Sequence, residues 1–204
     1  MKKIILASAS ANRKQLLEQI GVEFEVQASN YEEDMTLDMK PTKLAEFLSL
    51  GKARDVASQY KNAIIIAADT FIVYKRQLIG KPKDRKDAAR IMQLLSGQTH
   101  QVITGFTVID TATGQTHTQS VTSKMTFRKI APREIKAYVA RADVLTKAGA
   151  YAIQKEAVIF VEKIDGSLSC VIGLPLTELI DVLKKFGVDV WGKQKASPQH
   201  YTQP

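Results

Sequence analysis

The chain has 204 residues, of which 45% are hydrophobic and 25% are charged, so it is long enough to bury the core of one domain or of two small lobes. Its longest apolar run, around Ile64 to Ala68, is far shorter than the roughly 20 residues that cross a bilayer, which excludes a membrane-spanning helix. The single cysteine, Cys170, excludes an internal disulfide and favours a reducing, cytoplasmic environment. The apolar start MKKIILASAS is too short for a signal peptide, so no targeting segment is expected.

The first half of the chain predicts strands and helices in alternation. Ile4 to Leu6 is typical of a short buried strand, and Ser10 suits the N-cap of a helix that ends at Gly21. A second short strand and a second helix are expected next, followed by the strongest strand signal of the chain and by a loop. These segments are Phe24 to Val26, the helix from Pro41 to Val56, the strand AIIIAADTFIVYK (63–75) and the loop QLIGKPK (77–83).

The second half predicts two helices around a pair of long strands, then a hairpin and a final helix. In chain order these are the helix from Asp84 to Gly97, the strands QVITGFTVID (101–110) and QTHTQSVTSKMTF (115–127), the helix opened by Pro132, the strands AVIFVEKI (157–164) and LSCVI (168–172) around Asp165-Gly166, and the helix from Pro175 to Phe186. From Trp191 onward no apolar period is present, so residues 191–204 are expected to form a loose tail after a single domain of residues 1–190. The mixture indicates an α/β fold that also contains antiparallel strands.

Residues 6–14, LASASANRK, place two cations in the first turn of a helix. A helix N-terminus already carries partial positive charge and free N–H groups, so Arg13 and Lys14 have the wrong sign for stability there. Ser8, Ser10 and Arg13 instead form a convergent set of donors that suits an anion. A serine cap beside a surface arginine explains the stretch equally well when it is taken alone.

A carboxylate and two lysines form a second candidate site. Asp69 directly follows the buried run and is costly to bury without a partner, so it is a metal ligand or general base, or else a strand-end acid that caps a loop. Lys52 lies along an apolar helix stripe, and Lys81 lies in a constrained glycine–proline loop; a lone lysine of this kind is more often a snorkelling surface residue. Together with Arg13, however, these residues can bind a polyphosphate with a divalent cation.

The net charge of +8 reflects either a solvated basic surface or attraction to phosphate, on a nucleic acid or on a small nucleotide. No signature of a nucleic-acid-binding module is present, so a nucleic-acid partner is possible but not favoured. No G-x-S-x-G, Walker A or G-x-G-x-x-G motif occurs, and Cys170 lies in a strand pattern that suits a structural role. The histidines lack metal-ligand spacing; they are His100, His117 and His200.

Three long blocks occur in order: LASASANRKQLLEQIGVEF, then ADTFIVYKRQLIGKPKDRKDAARIMQLLSGQTHQVITG, then GAYAIQKEAVIFVEKIDGSLSCVIGLPLTEL. Together they resemble the Maf family of nucleoside triphosphate pyrophosphatases, once known as septum formation inhibitors. That family opens with L-A-S-x-S-P-R-R, a Leu-Leu helix and G-x-x-F. The match covers residues 4–186, nearly the whole chain, and several long motifs in the right order are far more specific than any one of them.

The resemblance implies a Maf/ITPase-like fold, a mixed twisted sheet flanked by helices with a cleft between two lobes. It also implies hydrolysis of a nucleoside triphosphate between the α and β phosphates, giving a monophosphate and pyrophosphate, with Mg²⁺ or Mn²⁺. Asp69 would accept a proton from water and hold the metal together with Glu33, while Thr70 and Gln154 would select the base. The triphosphate and the charge building on the departing pyrophosphate would be held by Ser8, Ser10, Arg13, Lys52 and Lys81.

The resemblance indicates the substrate less specifically than it indicates the reaction. ADT and YAIQ resemble the family members that act on dTTP and UTP, whereas the 7-methyl-GTP members tend to have S-D-Q and a Lys-Ser-Glu segment. Asn12 stands where the pyrimidine group usually has arginine, at a position linked to substrate choice, while Lys155 replaces a glycine and Ala11 a proline. The base preference therefore stays open between dTTP, UTP and a modified nucleotide.

Two alternatives are a 7-methyl-GTP pyrophosphatase and a non-enzymatic protein that binds nucleic acid or regulates division. Thr70 and Gln154 argue against the first. The joint presence of four residues argues against a dead site: Arg13, Lys52, Asp69 and Lys81. Family members are often dimers, so a homodimer is an expectation from the resemblance.

Overall fold

The computed structural model describes residues 2–34, 37–141 and 143–190. Within these ranges the chain forms a mixed sheet flanked by helices, as predicted. The strands are β1 (Lys3–Leu6), β2 (Glu25–Val26), β3 (Ala63–Tyr74), β4 (Gln77–Ile79), β5 (Thr99–Asp110), β6 (Thr116–Phe127) and β7 (Val161–Asp165). The helices are α1 (Ala11–Gln19), α2 (Pro41–Ala57), α3 (Arg85–Leu95), α4 (Pro132–Arg141), α5 (Leu168–Ile172) and α6 (Leu176–Lys185), with 3₁₀ turns at Ala148–Ala150 and Glu156–Phe160.

The strand order is β2-β1-β3-β5-β6-β7, and β4 pairs with the far end of β3. β1 runs parallel to β2 and β3, whereas the other pairs are antiparallel. β1 pairs with β3 over residues 63–66 and β4 pairs with it over residues 72–74, so residues 67–71 lie between these two partners. Asp69 was expected at a strand end, but it lies inside β3, in the part that neither β1 nor β4 pairs with. The strand that ends beside Asp69 is the neighbouring strand β1.

Alternate residues of β3 pack against different helices, because successive side chains of a strand point to opposite faces. One face, here called the α2 face, carries residues 63, 65, 67, 71 and 73 against α2. The opposite face carries residues 64, 66 and 68 in a core with α1 and α6, and residues 72 and 74 in a separate core with α3 and α4. We call this second face the divided face.

The division between the two cores runs across neighbouring strands at polar residues. On β3 it falls at Thr70, between Ala68 of one core and Ile72 of the other. On β5 it falls at Thr104, between Val102 and Phe106. The two cores correspond to the two lobes that the resemblance implies, and the boundary between them positions the site described below.

The hairpin predicted across Asp165-Gly166 is wrong in its second strand, because residues 168–172 form α5. Its first strand, predicted over residues 157–164, is also wrong at its start, because Glu156–Phe160 is a 3₁₀ turn and only Val161–Asp165 forms β7. Ser167 Oγ accepts the backbone N–H of Cys170 at 3.1 Å, and Gly173 ends this helix with φ +126°, so capping outweighs the strand propensity of LSCVI. Cys170 is therefore a buried free thiol in a helix rather than in a strand. The loop predicted over residues 77–83 is also shorter, since its first three residues form β4.

No helix in the three described ranges is long and apolar enough to cross a membrane. The predicted tail, residues 191–204, lies outside the described residues, and so does His200. The assignment of residues 1–190 to a single domain stays a prediction.

Candidate active site

A cleft with a volume of about 470 Å³ opens where the two cores of the divided face separate. The residues predicted for the site come from six separate segments of the chain, and the fold brings all of them except Ser8 to the wall of this cleft. The wall includes Ser10, Asn12, Arg13, Glu33, Lys52, Asp69, Thr70, Lys81 and Gln154. Ser8 is buried beneath Arg13 and is not part of this wall, so it supports the site from behind.

An ionic cluster occupies the α2 side of the cleft. The ammonium group of Lys52 contacts Asp69 Oδ1 and lies 2.8 Å from Glu33 Oε1, with only 12% of the lysine side chain exposed. Burial tends to raise the pKa of Glu33, but its hydrogen bond to Lys52 and the charges of Lys52, Lys81 and Arg13 outweigh burial and lower that pKa. Glu33 is therefore held ionised.

The two carboxylate oxygens of Asp69 differ in their contacts. Asp69 Oδ2 is buried and has no hydrogen-bond partner among the described residues. A buried carboxylate oxygen without a partner costs free energy in an isolated protein. In a cleft it marks the place where a water molecule or a cation completes the hydrogen bonding.

The loop that carries Glu33 is anchored to α2. Ser29 Oγ and the backbone N–H of Asn30 both donate to Asp55 Oδ2 at 2.8 Å. Tyr31 lies directly over Gly51, where a Cβ atom would come within 2.4 Å of the ring. The absence of a side chain at position 51, immediately before Lys52, therefore lets this loop approach α2 and bring Glu33 to the lysine.

The residues present fit a Mg²⁺ or Mn²⁺ ion shared with a substrate. Mg²⁺ usually binds through one or two carboxylates together with substrate phosphates. Glu33 and Asp69 are two such carboxylates, both in contact with the same ammonium group. Within the described part of the chain no group of three or more His, Cys, Asp or Glu residues could form a complete protein cage for a metal. A cation here would depend on the phosphates of the ligand.

Arg13 lies at the boundary between the two cores and already donates three hydrogen bonds to the protein. Its Nε donates to the Gly173 carbonyl at 2.9 Å, Nη1 to Ser8 Oγ at 3.1 Å and Nη2 to Thr70 Oγ1 at 3.1 Å. Burial lowers the pKa of Arg13, and the negative charges of Asp69 and Glu33 oppose that effect. Since a guanidinium has five N–H donors, two remain for a ligand in the cleft.

The far wall of the cleft was largely missed from the sequence. It is built by residues 146–154, and it adds Lys147 and the ring of Tyr151 to the predicted Gln154. The backbone N–H of Gly149 donates to the Gly80 carbonyl at 2.9 Å, which ties this segment to the loop of Lys81. The block GAYAIQ marks the segment in the sequence, but nothing in its composition indicates that Lys147 faces a ligand.

The positions at which this chain departs from the family pattern differ in their placement. Asn12 lines the cleft, in the first turn of α1 next to Arg13. Lys155 is exposed and does not line the cleft, although it follows Gln154 directly. Of these two, only Asn12 is in a position to contact a ligand in the cleft.

The electrostatic balance of the cleft is positive. Among the residues that the structure describes, the wall carries four cations and two carboxylates: Arg13, Lys52, Lys81 and Lys147, and Glu33 and Asp69. Such a balance suits a polyanion that carries a divalent cation.

The chain matches the family model "Maf: Maf-like protein" over residues 3–186. A "dTTP/UTP pyrophosphatase" of Moorella thermoacetica is 40% identical over 193 residues, which cover 95% of this chain and 100% of that protein. A protein of the same name from Methanosarcina barkeri is 44% identical over 192 residues, covering 94% and 98%. The solved structure of a HAM1 protein from Coxiella burnetii has a TM-score of 0.50 and 14% identity, covers 91% of this chain and 100% of its own, and is similar in fold.

Proposed function

The chain belongs to the Maf family, and from this membership we propose that it hydrolyses a nucleoside triphosphate between the α and β phosphates, releasing a nucleoside monophosphate and pyrophosphate. The dTTP/UTP pyrophosphatase activity in the names of its relatives supports dTTP, UTP or a related pyrimidine triphosphate as the substrate. The observation that carries the proposal is the buried Asp69 Oδ2, which has no hydrogen-bond partner in the described part of the chain and lies in a cleft whose net charge is positive.

The cations of the cleft hold the triphosphate. Lys81 is exposed on the cleft wall, and Arg13 has two N–H groups left for phosphate oxygens. Lys147 on the opposite wall adds a third positive charge. As the bond to pyrophosphate breaks, negative charge builds on the departing group, and these fixed cations stabilise it without having to reorganise.

Asp69 activates the water. Its Oδ1 is occupied by Lys52, so Oδ2 is the atom that accepts the proton as the water attacks the α phosphate. Lys52 holds Asp69 and Glu33 together and thereby fixes the direction in which Oδ2 points. A divalent cation held by Glu33 and Asp69 would supply further charge neutralisation on the phosphates.

The base is selected on the divided-face side of the cleft, where Thr70 lies next to Arg13. Thr70 and Gln154 lie on its wall together with the ring of Tyr151, and Asn12 replaces the arginine common in the pyrimidine group. The shorter, neutral Asn12 leaves more room and less positive charge than an arginine, which favours a modified pyrimidine as an additional substrate. A 7-methyl-GTP substrate is less favoured, because the residues at 70 and 154 do not follow that group's pattern.

A panel of nucleotides tests the proposal. Purified protein is incubated with the common NTPs and dNTPs, 7-methyl-GTP and 5-methylated pyrimidine triphosphates, with Mg²⁺ or Mn²⁺, and monophosphate and pyrophosphate are quantified. Asp69→Asn, which keeps the size of the side chain, should lower the rate by about 10²–10⁴-fold. The matched control is Asp181→Asn on the exposed face of α6, which should leave the rate unchanged.

Pyrophosphate release that survives Asp69→Asn would overturn the role of Asp69. Turnover of no nucleotide at all would overturn the enzyme proposal in favour of a binding protein. In that case DNA binding that is unaffected by Asp69→Ala would identify a nucleic-acid partner.

A homodimer and a cytoplasmic location are part of the proposal. The buried free thiol of Cys170 supports a reducing environment. Light scattering on the purified chain measures the mass directly: a value of 22.6 kDa would contradict the dimer.

A further inference from the structure

A line of hydrogen bonds crosses the divided face between its two cores. Arg13 Nη2 donates to Thr70 Oγ1, which lies 3.0 Å from Thr104 Oγ1. Thr104 Oγ1 in turn donates to the carbonyl oxygen of Cys170 at 2.8 Å. The two threonines meet because β3 and β5 pair in the register Thr70↔Thr104. Thr104 is completely buried, so bulk water does not replace either of its partners.

The direction of each hydrogen bond follows from counting protons. A threonine hydroxyl has one proton and two lone pairs. The Cys170 carbonyl can only accept, so Thr104 uses its proton there and can only accept from Thr70. Thr70 must therefore donate its own proton to Thr104. One of its two lone pairs accepts the hydrogen bond from Arg13 Nη2. The other can accept a hydrogen bond from a ligand in the cleft that Thr70 lines.

The turn after α5 holds this arrangement in place. Its Gly173 carbonyl accepts from Arg13 Nε at 2.9 Å, and its φ of +126° is a conformation that favours glycine. A Cβ atom at position 173 would lie 3.4 Å from Thr70 Oγ1 and 3.6 Å from Arg13 Nε. Two backbone carbonyls of the same short segment therefore accept hydrogen bonds from the two ends of the line: Cys170 from Thr104, and Gly173 from Arg13.

We infer that Thr104 is a positioning residue that fixes Thr70 as a hydrogen-bond acceptor, so that the cleft selects a base with a ring N–H donor. Uracil and thymine carry such a donor at N3, whereas N3 of cytosine is an acceptor and would face the lone pair of Thr70. The inference rests on the pyrimidine nucleotide function proposed above. Phosphate oxygens are also acceptors, so the free lone pair of Thr70 does not suit the triphosphate.

The test compares two substitutions at position 104. Thr104→Val keeps the shape of the side chain but removes the hydroxyl, which frees the Thr70 proton to turn into the cleft and donate to cytosine. The ratio of kcat/KM for UTP over CTP should fall by about tenfold or more, through KM rather than kcat. Thr104→Ser keeps the hydroxyl and should keep the ratio within about threefold of the wild type.

Equal losses for UTP and CTP in Thr104→Val would overturn the inference, because a purely structural role, or a sugar hydroxyl facing Thr70, does not distinguish the bases. The same UTP/CTP ratio of kcat/KM in Thr104→Val and in Thr104→Ser would overturn the inference as well. If Thr104→Val does not fold, wild-type binding of UMP and N3-methyl-UMP is compared by calorimetry. The inference predicts at least about tenfold weaker binding of the methylated nucleotide, and equal binding overturns it.

Failure of the proposed function is a separate result. A wild-type protein that turns over no triphosphate refutes the hydrolase proposal alone. Binding of UMP and CMP to the wild type and Thr104→Val by calorimetry still decides the inference: a preference for UMP that Thr104→Val removes supports it, and no preference overturns it.

Discussion

Asp69 and Thr70 are neighbours in β3, yet they belong to two regions of the cleft that differ in their chemistry. Asp69 lies on the α2 face, where Lys52 and Glu33 form an ionic cluster with it. Thr70 lies on the divided face, where it takes part in a line of hydrogen bonds that includes Arg13 and Thr104. The alternation of a single strand therefore separates the two regions.

Because the two regions use different interactions, rate and selectivity can be changed independently. Charge interactions in the ionic cluster fall off with distance and depend little on direction, so this region can serve any triphosphate. Hydrogen bonds on the divided face depend on which atom holds the proton, so this region can distinguish bases of the same size and shape. Substitutions on the two faces should have different kinetic signatures.

The largest effect is expected from Lys52→Met. The change leaves Asp69 and Glu33 without the cation that they share, so the direction of Asp69 Oδ2 is lost and the two carboxylates repel each other. The hydrolysis rate should fall by about 10²–10⁴-fold, with the UTP/CTP preference unchanged, in a steady-state assay of both nucleotides.

Lys43→Met is the matched control, because Lys43 lies on the same helix but is exposed and pairs with Glu46. It should leave both rate and preference as they are. A change of base preference in Lys52→Met would contradict the separation of the two regions.

The next effect concerns the core that contains Tyr151, which lines the cleft as Thr70 does; we call the wall formed by these two residues the recognition region. His100 is buried against Phe127, and its Nε2 lies 2.8 Å from the hydroxyl of Tyr151, a residue of the cleft wall. Burial lowers the pKa of His100 from 6.5 to about 4. Between these pH values the unfolded chain binds a proton that the folded chain does not, so the free energy of unfolding falls as the pH drops from 6.5 toward 4.

The full loss from His100 should be about 3 kcal/mol, since each pKa unit corresponds to about 1.4 kcal/mol. Urea unfolding at pH 7 and at pH 4 measures it, and His100→Gln should show a correspondingly smaller loss between the two. An identical loss in the variant would show that His100 is not responsible.

Thr70→Val should have a smaller effect, confined to selectivity. It removes the acceptor offered to the base, so the preference for UTP over CTP should fall by about tenfold while kcat changes little. Competition between the two nucleotides at equal concentration measures the preference directly. Thr70→Ser retains the hydroxyl and serves as the control; a large drop in kcat with Thr70→Val would mean that Thr70 belongs to the ionic region instead.

The element pattern of the fold could be predicted from the sequence wherever a long periodic stretch or a cap is present. β3, β5 and β6 and the helices opened by Pro41 and Pro132 were all predicted. The prediction for the stretch LSCVI failed because a short run with four apolar residues suits either a strand or a helix, and the serine cap at Ser167 decides between them. The interval beside Asp69 could not be predicted, since it depends on where β1 stops pairing with β3.

Residue patterns alone predicted an anion or polyphosphate site at Ser8, Ser10, Arg13, Lys52, Asp69 and Lys81, and the resemblance added Glu33, Gln154 and a role for Thr70. The fold brings these residues together, but their roles stay predictions. Thr104 could not be found this way, because its contact with Thr70 depends on the pairing register of β3 and β5, which no local pattern encodes. Lys147 was missed for a similar reason: its place on the cleft wall follows from a turn that packs against the loop of Gly80.

The smallest effect is expected at the far end of β3, beyond both regions of the cleft. Tyr74 pairs with Gln77, so Lys75 and Arg76 form a two-residue turn, and both have positive φ, 48° and 67°. Such turns favour glycine, particularly at the second position, because a side chain there is strained. Arg76→Gly should therefore raise the free energy of unfolding by about 0.5–1 kcal/mol. Urea unfolding measures the gain, and Arg76→Ala, which keeps a Cβ atom, should not show it.

Because the turn of Lys75 and Arg76 lies outside the cleft, neither the hydrolysis rate nor the UTP/CTP preference should change in Arg76→Gly. A shift in preference would mean that the hairpin of β3 and β4 is coupled to the recognition region.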